Sequence, residues 1–176
     1  ETPTDFKSAG LSAHKCRHEG FSSGDCRAVG YSARECKEAG YSLLECREGG
    51  FTLWLCREAG LSTVDCKTAG LSAQPCRAAG YAITACREAK YTLCECRDAN
   101  YPAAECVDAG WSATDCREAG YAAQECKEAG YTARACKGAG YSPEQCRDAG
   151  WEPRACRDAG WSWGELEGLL RRKRGS

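Results

Sequence analysis

Hydrophobic and polar positions alternate along this chain with a period of ten residues. The stretch YSARECKEAGYSLLECREGG, residues 31–50, states one phrase twice: aromatic, Ser, three variable residues, Cys, base, acid, small residue, Gly. With the phrase numbered 1 to 10, position 1 is Tyr, Phe, Trp or Leu from Leu11 to Trp161. Position 6 is Cys at Cys16, Cys26, Cys36, Cys46, Cys56, Cys66, Cys76, Cys86, Cys96, Cys106, Cys116, Cys126, Cys136, Cys146 and Cys156. Position 7 is Arg or Lys in all these repeats except at Val107. Position 10 is Gly up to residue 160, except at Lys90 and Asn100.

Each phrase predicts one helix of about seven or eight residues. Ser or Thr at position 2 is an N-cap for the free N–H groups of the first turn. An acid at position 5, as in Glu35, Glu45 and Asp115, falls at N3 and completes a capping box. Pro3, Pro143 and Pro153 fall at N1, where a missing N–H is harmless. Gly at position 10 is the left-handed residue that ends a helix, and a base at position 7 suits its last turn. The aromatic at position 1 is then C″ of one helix and N′ of the next, so each ring is expected beside two consecutive cysteines.

No period-two alternation is present, and Ala, Glu, Lys and Arg fill the middles of the phrases, so strands are not expected. Helices only ~12 Å long do not stand alone in water. Linked by Gly-aromatic turns, they are predicted to fold back and stack into an all-α α-solenoid of about seventeen short helices, one per repeat. No longer alternation overlies the period of ten, so each helix should meet a similar environment, as in a regular screw. The ends vary the theme. Phe6 and Leu166 stand in the Cys register. This predicts an N-terminal capping repeat at 1–10, fifteen Cys repeats over 11–160 and a C-terminal capping helix at 161–170. Residues 171–176 read as a basic tail, Arg171 to Arg174, or an expression scar. The start at Glu1 without Met reads as a mature form or an excised piece.

Composition sharpens the picture. The chain has 176 residues with three Phe and no Met; its apolar fraction rests on Ala, Cys, Tyr and Trp. Small residues do not build a thick core. Sixteen cysteines place the chain in the range of disulfide scaffolds and point to an oxidising, extracellular compartment, so the protein is expected to be secreted. The alternative is that Cys serves as a small buried apolar residue in a reducing cell. A bridge closing a ten-residue loop contributes about 2–3 kcal/mol in the chain-entropy model, and seven or eight would support a thin core. The net charge of −1 gives no reason to expect nucleic acid, and no apolar run approaches a membrane span.

Little of the chain points to catalysis. His14 and His18, four apart on one helix, are the one metal candidate; the alternative is two solvent-facing residues of a terminal repeat. No C-x-x-C pair occurs, and no base is placed beside a nucleophile, so no enzyme activity and no cofactor are expected. The base at position 7 lies next to an acid at position 8, predicting exposed ion pairs, with a track for an anionic polymer as the sharper alternative. The Tyr/Trp row is either structural or a carbohydrate- or peptide-binding face. Large apolar residues at positions 3 to 5 cluster in repeats five to seven, where Leu44, Trp54, Leu55 and Val64 form a candidate contact patch.

The phrase Tyr/Phe-Ser-x-x-Glu-Cys-Arg/Lys-Glu-Ala-Gly resembles ten-residue short-helix repeats, often with Leu in place of Cys, found in proteins of algae, other protists and some large viruses. The resemblance covers residues 11–160. It implies a repeat scaffold and no particular activity.

The resulting expectation is a non-enzymatic, secreted structural scaffold held by a cysteine ladder, associating with itself as a homo-oligomer or filament or with another extracellular protein. The alternative is a binding module that uses the Trp54 patch or the aromatic row. Fifteen ladder cysteines are an odd number. Pairing inward from the N-terminus gives 16–26, 36–46, 56–66 and 76–86; pairing from the C-terminus gives 146–156, 126–136 and 106–116. Cys96 is left over, two residues from Cys94, the one cysteine off the ladder. The pairing phase is therefore expected to switch around residues 91–100, with Cys94 a candidate for an interchain bridge.

Overall fold

A computed structural model describes residues 2–162 and 164–165. Among these residues there are sixteen α-helices and no strand. The chain divides into two compact units, the first ending at Tyr91 and the second starting at Thr92. The first holds α1 (Pro3–Ser8), α2 (Ala13–His18), α3 (Ser23–Ala28), α4 (Ala33–Glu38), α5 (Leu43–Glu48), α6 (Leu53–Glu58), α7 (Thr63–Thr68), α8 (Ala73–Ala78) and α9 (Ile83–Glu88). The second holds α10 (Leu93–Asp98), α11 (Ala103–Asp108), α12 (Ala113–Glu118), α13 (Ala123–Glu128), α14 (Ala133–Gly138), α15 (Pro143–Asp148) and α16 (Pro153–Asp158). Leu166 and the basic tail lie outside the described residues.

Each helix is six residues long, shorter than the phrase suggested, because position 9 is already the C-cap. The repeat α4 shows how the ends are held. The Ser32 N–H donates to Glu35 Oε2 at 2.7 Å, and the Glu35 N–H donates back to Ser32 Oγ at 3.2 Å. At the other end Gly40 takes φ 88°, its N–H donates to the Lys37 carbonyl at 2.8 Å, and the Tyr41 N–H donates to the Cys36 carbonyl at 3.0 Å. These two bonds are a Schellman motif. Lys90 and Asn100 take the same left-handed conformation at φ 64° and 63° without being glycine.

Within each unit the helices stack on their next-but-one neighbours. In the first, α2 packs on α4, α3 on α5, α4 on α6 and α7 on α9. In the second, α10 packs on α12, α11 on α13, α12 on α14, α13 on α15 and α14 on α16. Consecutive helices also touch, so odd and even helices form two columns, and each solenoid coil takes twenty residues. The tyrosine hydroxyls tie one coil to the next: Tyr31 donates to the Leu11 carbonyl at 2.7 Å, Tyr81 to Leu61 at 2.6 Å and Tyr121 to Tyr101 at 2.6 Å.

Position 3 fills the layer between stacked helices. Leu43, Ile83 and Leu93 are buried there, as are Ser23 and Thr63, whose hydroxyls donate to the Glu45 and Ala85 carbonyls of the next-but-one helix, at 2.6 and 2.8 Å. Position 9 is usually Ala, buried at Ala39, Ala59, Ala79, Ala89, Ala99 and several later repeats. One contact is tighter. Gly24 and Gly49 meet so closely that a Cβ on Gly49 would lie 2.5 Å from the Gly24 nitrogen.

The expected pairing of bases with acids at position 8 forms only in part, as at Arg57–Glu58 (3.7 Å) and Arg147–Asp148 (2.6 Å). More often the base reaches to the helix stacked beyond it. Lys37 Nζ donates to the Gly60 carbonyl at 2.9 Å, Arg117 to the Ala139 carbonyl at 3.2 Å, and Lys7 lies 4.0 Å from the Tyr31 ring centroid. The physical reason is that the last carbonyls of a six-residue helix lack internal partners and carry the negative end of its dipole. A base at position 7 therefore caps the helix two repeats later. Lys7 and Arg17 go further, pairing with Glu35 at 3.0 Å and Glu45 at 3.5 Å.

Candidate functional site

The cysteine row is the axis of each unit. All fifteen ladder cysteines, Cys16 to Cys156, are buried at 0–1% exposure, because position 6 is where the two columns face each other. Phe6 occupies the same register in α1, buried at 2% and edge-on to Phe21 at 6.1 Å. The tyrosine hydroxyls lie against sulfurs farther back than the two flanking cysteines the capping argument named. While the Tyr41 backbone bonds to Cys36, its hydroxyl lies 3.5 Å from Cys26 Sγ, fifteen residues back. The same contact recurs at Cys76–Tyr91 (3.6 Å), Cys116–Tyr131 (3.3 Å) and Cys126–Tyr141 (3.3 Å).

All sixteen cysteines are thiols in this structure, so the bridges of the expected fold are not formed in it. What the fold provides is proximity on both sides. Cys26 interacts with Cys16 and with Cys36. Cys116 bonds to both Cys106 and Cys126, and Cys126 also to Cys136. Cys66 lies against Cys76, the opposite phase to the expected 56–66 and 76–86 pairing. A sulfur with a neighbour on either side, as at Cys36 and Cys116, does not single out one partner. Burial pushes the Cys36 thiol up to about 12 and the Cys46 and Cys146 thiols up to about 11. Where one thiol donates to the next, the acceptor moves the other way: the Cys66 hydrogen bond lowers Cys76, and those from Cys116 and Cys136 lower Cys126. Cys96 is buried and Cys94, two residues away, is exposed.

The other candidates are scattered. His14 and His18 are both exposed, and His18 Nδ1 lies 3.3 Å from Glu19 Oε1. Among the described residues no three His, Cys, Asp or Glu side chains gather as a metal site. Leu44, Trp54, Leu55 and Val64 are exposed at 49%, 55%, 38% and 53%, with Leu44 and Val64 on odd-column helices and Trp54 and Leu55 on the even-column α6. Leu43, Leu44, Asp65 and Thr68 line a cleft of about 220 Å³ between α5 and α7. The tyrosine row is not an open face: Tyr31, Tyr41, Tyr91, Tyr101, Tyr121 and Tyr141 are exposed at 4% or less.

A family model described as a decapeptide repeat region matches residues 2–62, 50–123 and 110–169. The chain belongs to the decapeptide repeat family. No curated protein and no solved structure gives a significant match. In this decapeptide repeat protein the repetition creates furrows that sequence reasoning missed. One of about 430 Å³ lies among Arg97, Tyr101, Tyr121 and Glu125; its copy twenty residues on, about 590 Å³, lies among Arg117, Tyr121, Tyr141 and Gln145. The signal was in the sequence as a spacing of twenty-eight from position 7 to position 5. That spacing forms the Lys7–Glu35 and Arg17–Glu45 pairs, and it puts Gln145 where an acid would face Arg117.

Proposed function

We propose that this chain is a non-enzymatic structural scaffold of an oxidising, extracellular compartment, whose ladder cysteines pair with consecutive neighbours and whose units associate with further copies of themselves. The observation that supports this most is the cysteine row: fifteen buried thiols in a fold whose interior otherwise rests on Ala, the position-1 rings and a few Leu and Ile side chains. Cys and Ala bury little apolar area, at roughly 25 cal/mol per Å², and the helices are too short to persist alone. Bridges between repeats, at about 2–3 kcal/mol for a ten-residue loop, add what the thin core lacks. One local design repeated throughout suits a structural element better than a site that must place unlike groups together.

The exposed Leu44, Trp54, Leu55 and Val64 favour a second reading, a module that binds another extracellular protein through repeats five to seven. Sedimentation velocity and negative-stain microscopy over a range of concentrations separate the two. A scaffold gives species that grow with concentration and extended assemblies on the grid. A chain that stays monomeric at every concentration contradicts the scaffold reading and favours the module.

A further inference from the structure

Position 4 of the phrase carries a large apolar side chain in three consecutive repeats, at Leu44, Trp54 and Val64, and is small or polar in every other repeat up to Gly164. These three departures do not make one face. Leu44 and Val64 stand on α5 and α7 in the odd column, while Trp54 stands on α6 in the even column. The odd column offers a hollow: the cleft of about 220 Å³ between α5 and α7, lined by Leu43, Leu44, Asp65, Thr68 and Ala69. The even column offers a projection. Trp54 is exposed at 55%, and Leu55 beside it is exposed too. The polar groups match as well. Asp65 Oδ2 accepts from the Ser62 N–H at 2.6 Å and from the Ser62 hydroxyl at 2.7 Å, which leaves Oδ1 to accept from a donor outside the chain. The indole N–H is such a donor. Arg34 lies against α6, its Nη2 donating to the Glu58 carbonyl at 3.4 Å, so a positive charge stands on the column that carries the projection and a carboxylate lines the hollow.

We infer that Trp54 of one copy seats in the α5–α7 cleft of a second copy. The inference rests on the scaffold reading above and names the surfaces through which that self-association runs. A large, rigid ring with a polar edge is the kind of anchor on which interfaces depend. The cleft takes a single side chain; a helix, about 10 Å across, is too wide for it. The two surfaces differ, so the contact is heterologous: a copy that gives its Trp54 to one neighbour keeps its cleft for another. Such contacts run head to tail and do not stop at a pair. A seated Trp buries about 150–250 Å², against roughly 1,200 Å² for the smallest stable interfaces. One contact is therefore weak, and the assemblies grow with concentration.

The test uses two full-length variants, both in a Cys94→Ser background so that no bridge through that exposed thiol joins copies. Trp54→Arg removes the ring and keeps the cleft. Leu44→Arg obstructs the cleft and keeps the ring. Arg is already an exposed position-4 residue at Arg34, Arg134 and Arg154, so both variants should fold, with helical spectra and unfolding midpoints as the check. Trp54→Gln and Leu44→Gln, after the exposed Gln74 and Gln124, replace either one that does not. Sedimentation velocity is run on the parent, each variant and an equimolar mixture over one range of concentrations. The parent is expected to grow in size with concentration. Each variant alone should need a concentration higher by about tenfold or more to do so. The mixture should form a one-to-one dimer and nothing larger, because each pair then holds one usable ring and one usable cleft. Variants that assemble like the parent, a mixture that stays monomeric where the parent assembles, or a parent that stops at a dimer each overturns the seating of Trp54 while leaving self-association through another face. A parent that is monomeric at every concentration contradicts the scaffold reading itself, and this inference falls with it.

Discussion

The Tyr141 hydroxyl donates to the main-chain oxygen of Tyr121 at 2.7 Å, joining two residues one coil apart. Both are buried, at 4% exposure. Tyr141→Phe keeps the ring and leaves the Tyr121 carbonyl without that donor, at a cost of about 1–2 kcal/mol. Thermal or urea unfolding of the variant should show a lower midpoint with an unchanged helical spectrum. An unchanged midpoint would mean that the coils do not depend on this bond.

Lys90 carries a positive φ of 64° where nearly every other repeat has Gly. A side chain in this region costs roughly 1–2 kcal/mol, partly offset by the freedom that Gly has when unfolded. Lys90→Gly should raise stability by about 1 kcal/mol. Asn100→Gly should change it less, because Asn tolerates the left-handed region. Gly140→Ala runs the other way. It adds strain at φ 89° and places a Cβ 3.0 Å from the Arg117 guanidinium, so the unfolding midpoint should fall.

Gly49→Ala tests the closest approach between stacked helices. The new Cβ would lie 2.2 Å from Ser23 Oγ and 2.5 Å from the Gly24 nitrogen, so α3 and α5 must separate. Overpacking of this kind costs about 1–3 kcal/mol. The loss should appear as faster amide exchange in repeats three and five. Ser23→Ala should not restore it, since the backbone clash remains.

Acid should weaken the caps. The Ser32 N–H, then its hydroxyl, then Lys7 hold the Glu35 carboxyl down at about 2, from an ordinary 4.5. A carboxylate with a depressed folded pKa contributes stability that is fully present above the unfolded value and lost as pH falls through the folded one. The window here runs from about pH 4.5 down to about pH 2. Asp25 and Glu45 are lowered in the same direction by Ser22 and Ser42. Urea midpoints should therefore fall across this range, and Glu35→Gln should flatten part of the fall. A midpoint constant from pH 6 to pH 3 would contradict the capping account.

Local chemistry was legible in the sequence because it is written within one phrase. Ser32, Glu35 and Gly40 specify a helix with both ends closed, and the structure places each in the role its position implies, whereas Lys37 stands in the last turn and donates to Gly60 at the end of another helix. The stacking was not legible. A period of ten says nothing about whether a helix meets its next neighbour or the one after, and Tyr41–Phe21, Lys37–Gly60 and Lys7–Glu35 are partners only because the coil takes twenty residues. The cue was a pair of departures at matched distance. Gly24 and Gly49 break the pattern twenty-five apart and touch. The cysteine row was placed correctly in the interior, but counting residues could not reveal that sulfurs such as Cys36 and Cys116 interact with a neighbour on both sides.

The central claim, that this core is a row of bridged neighbours, is tested most directly by the intact mass of native protein alkylated with and without prior reduction. The account predicts that, without reduction, most ladder cysteines escape alkylation and the mass is lower by two hydrogens for each bridge. Alkylation at all sixteen cysteines after unfolding without reductant would contradict it and leave the row as a core of small, buried thiols.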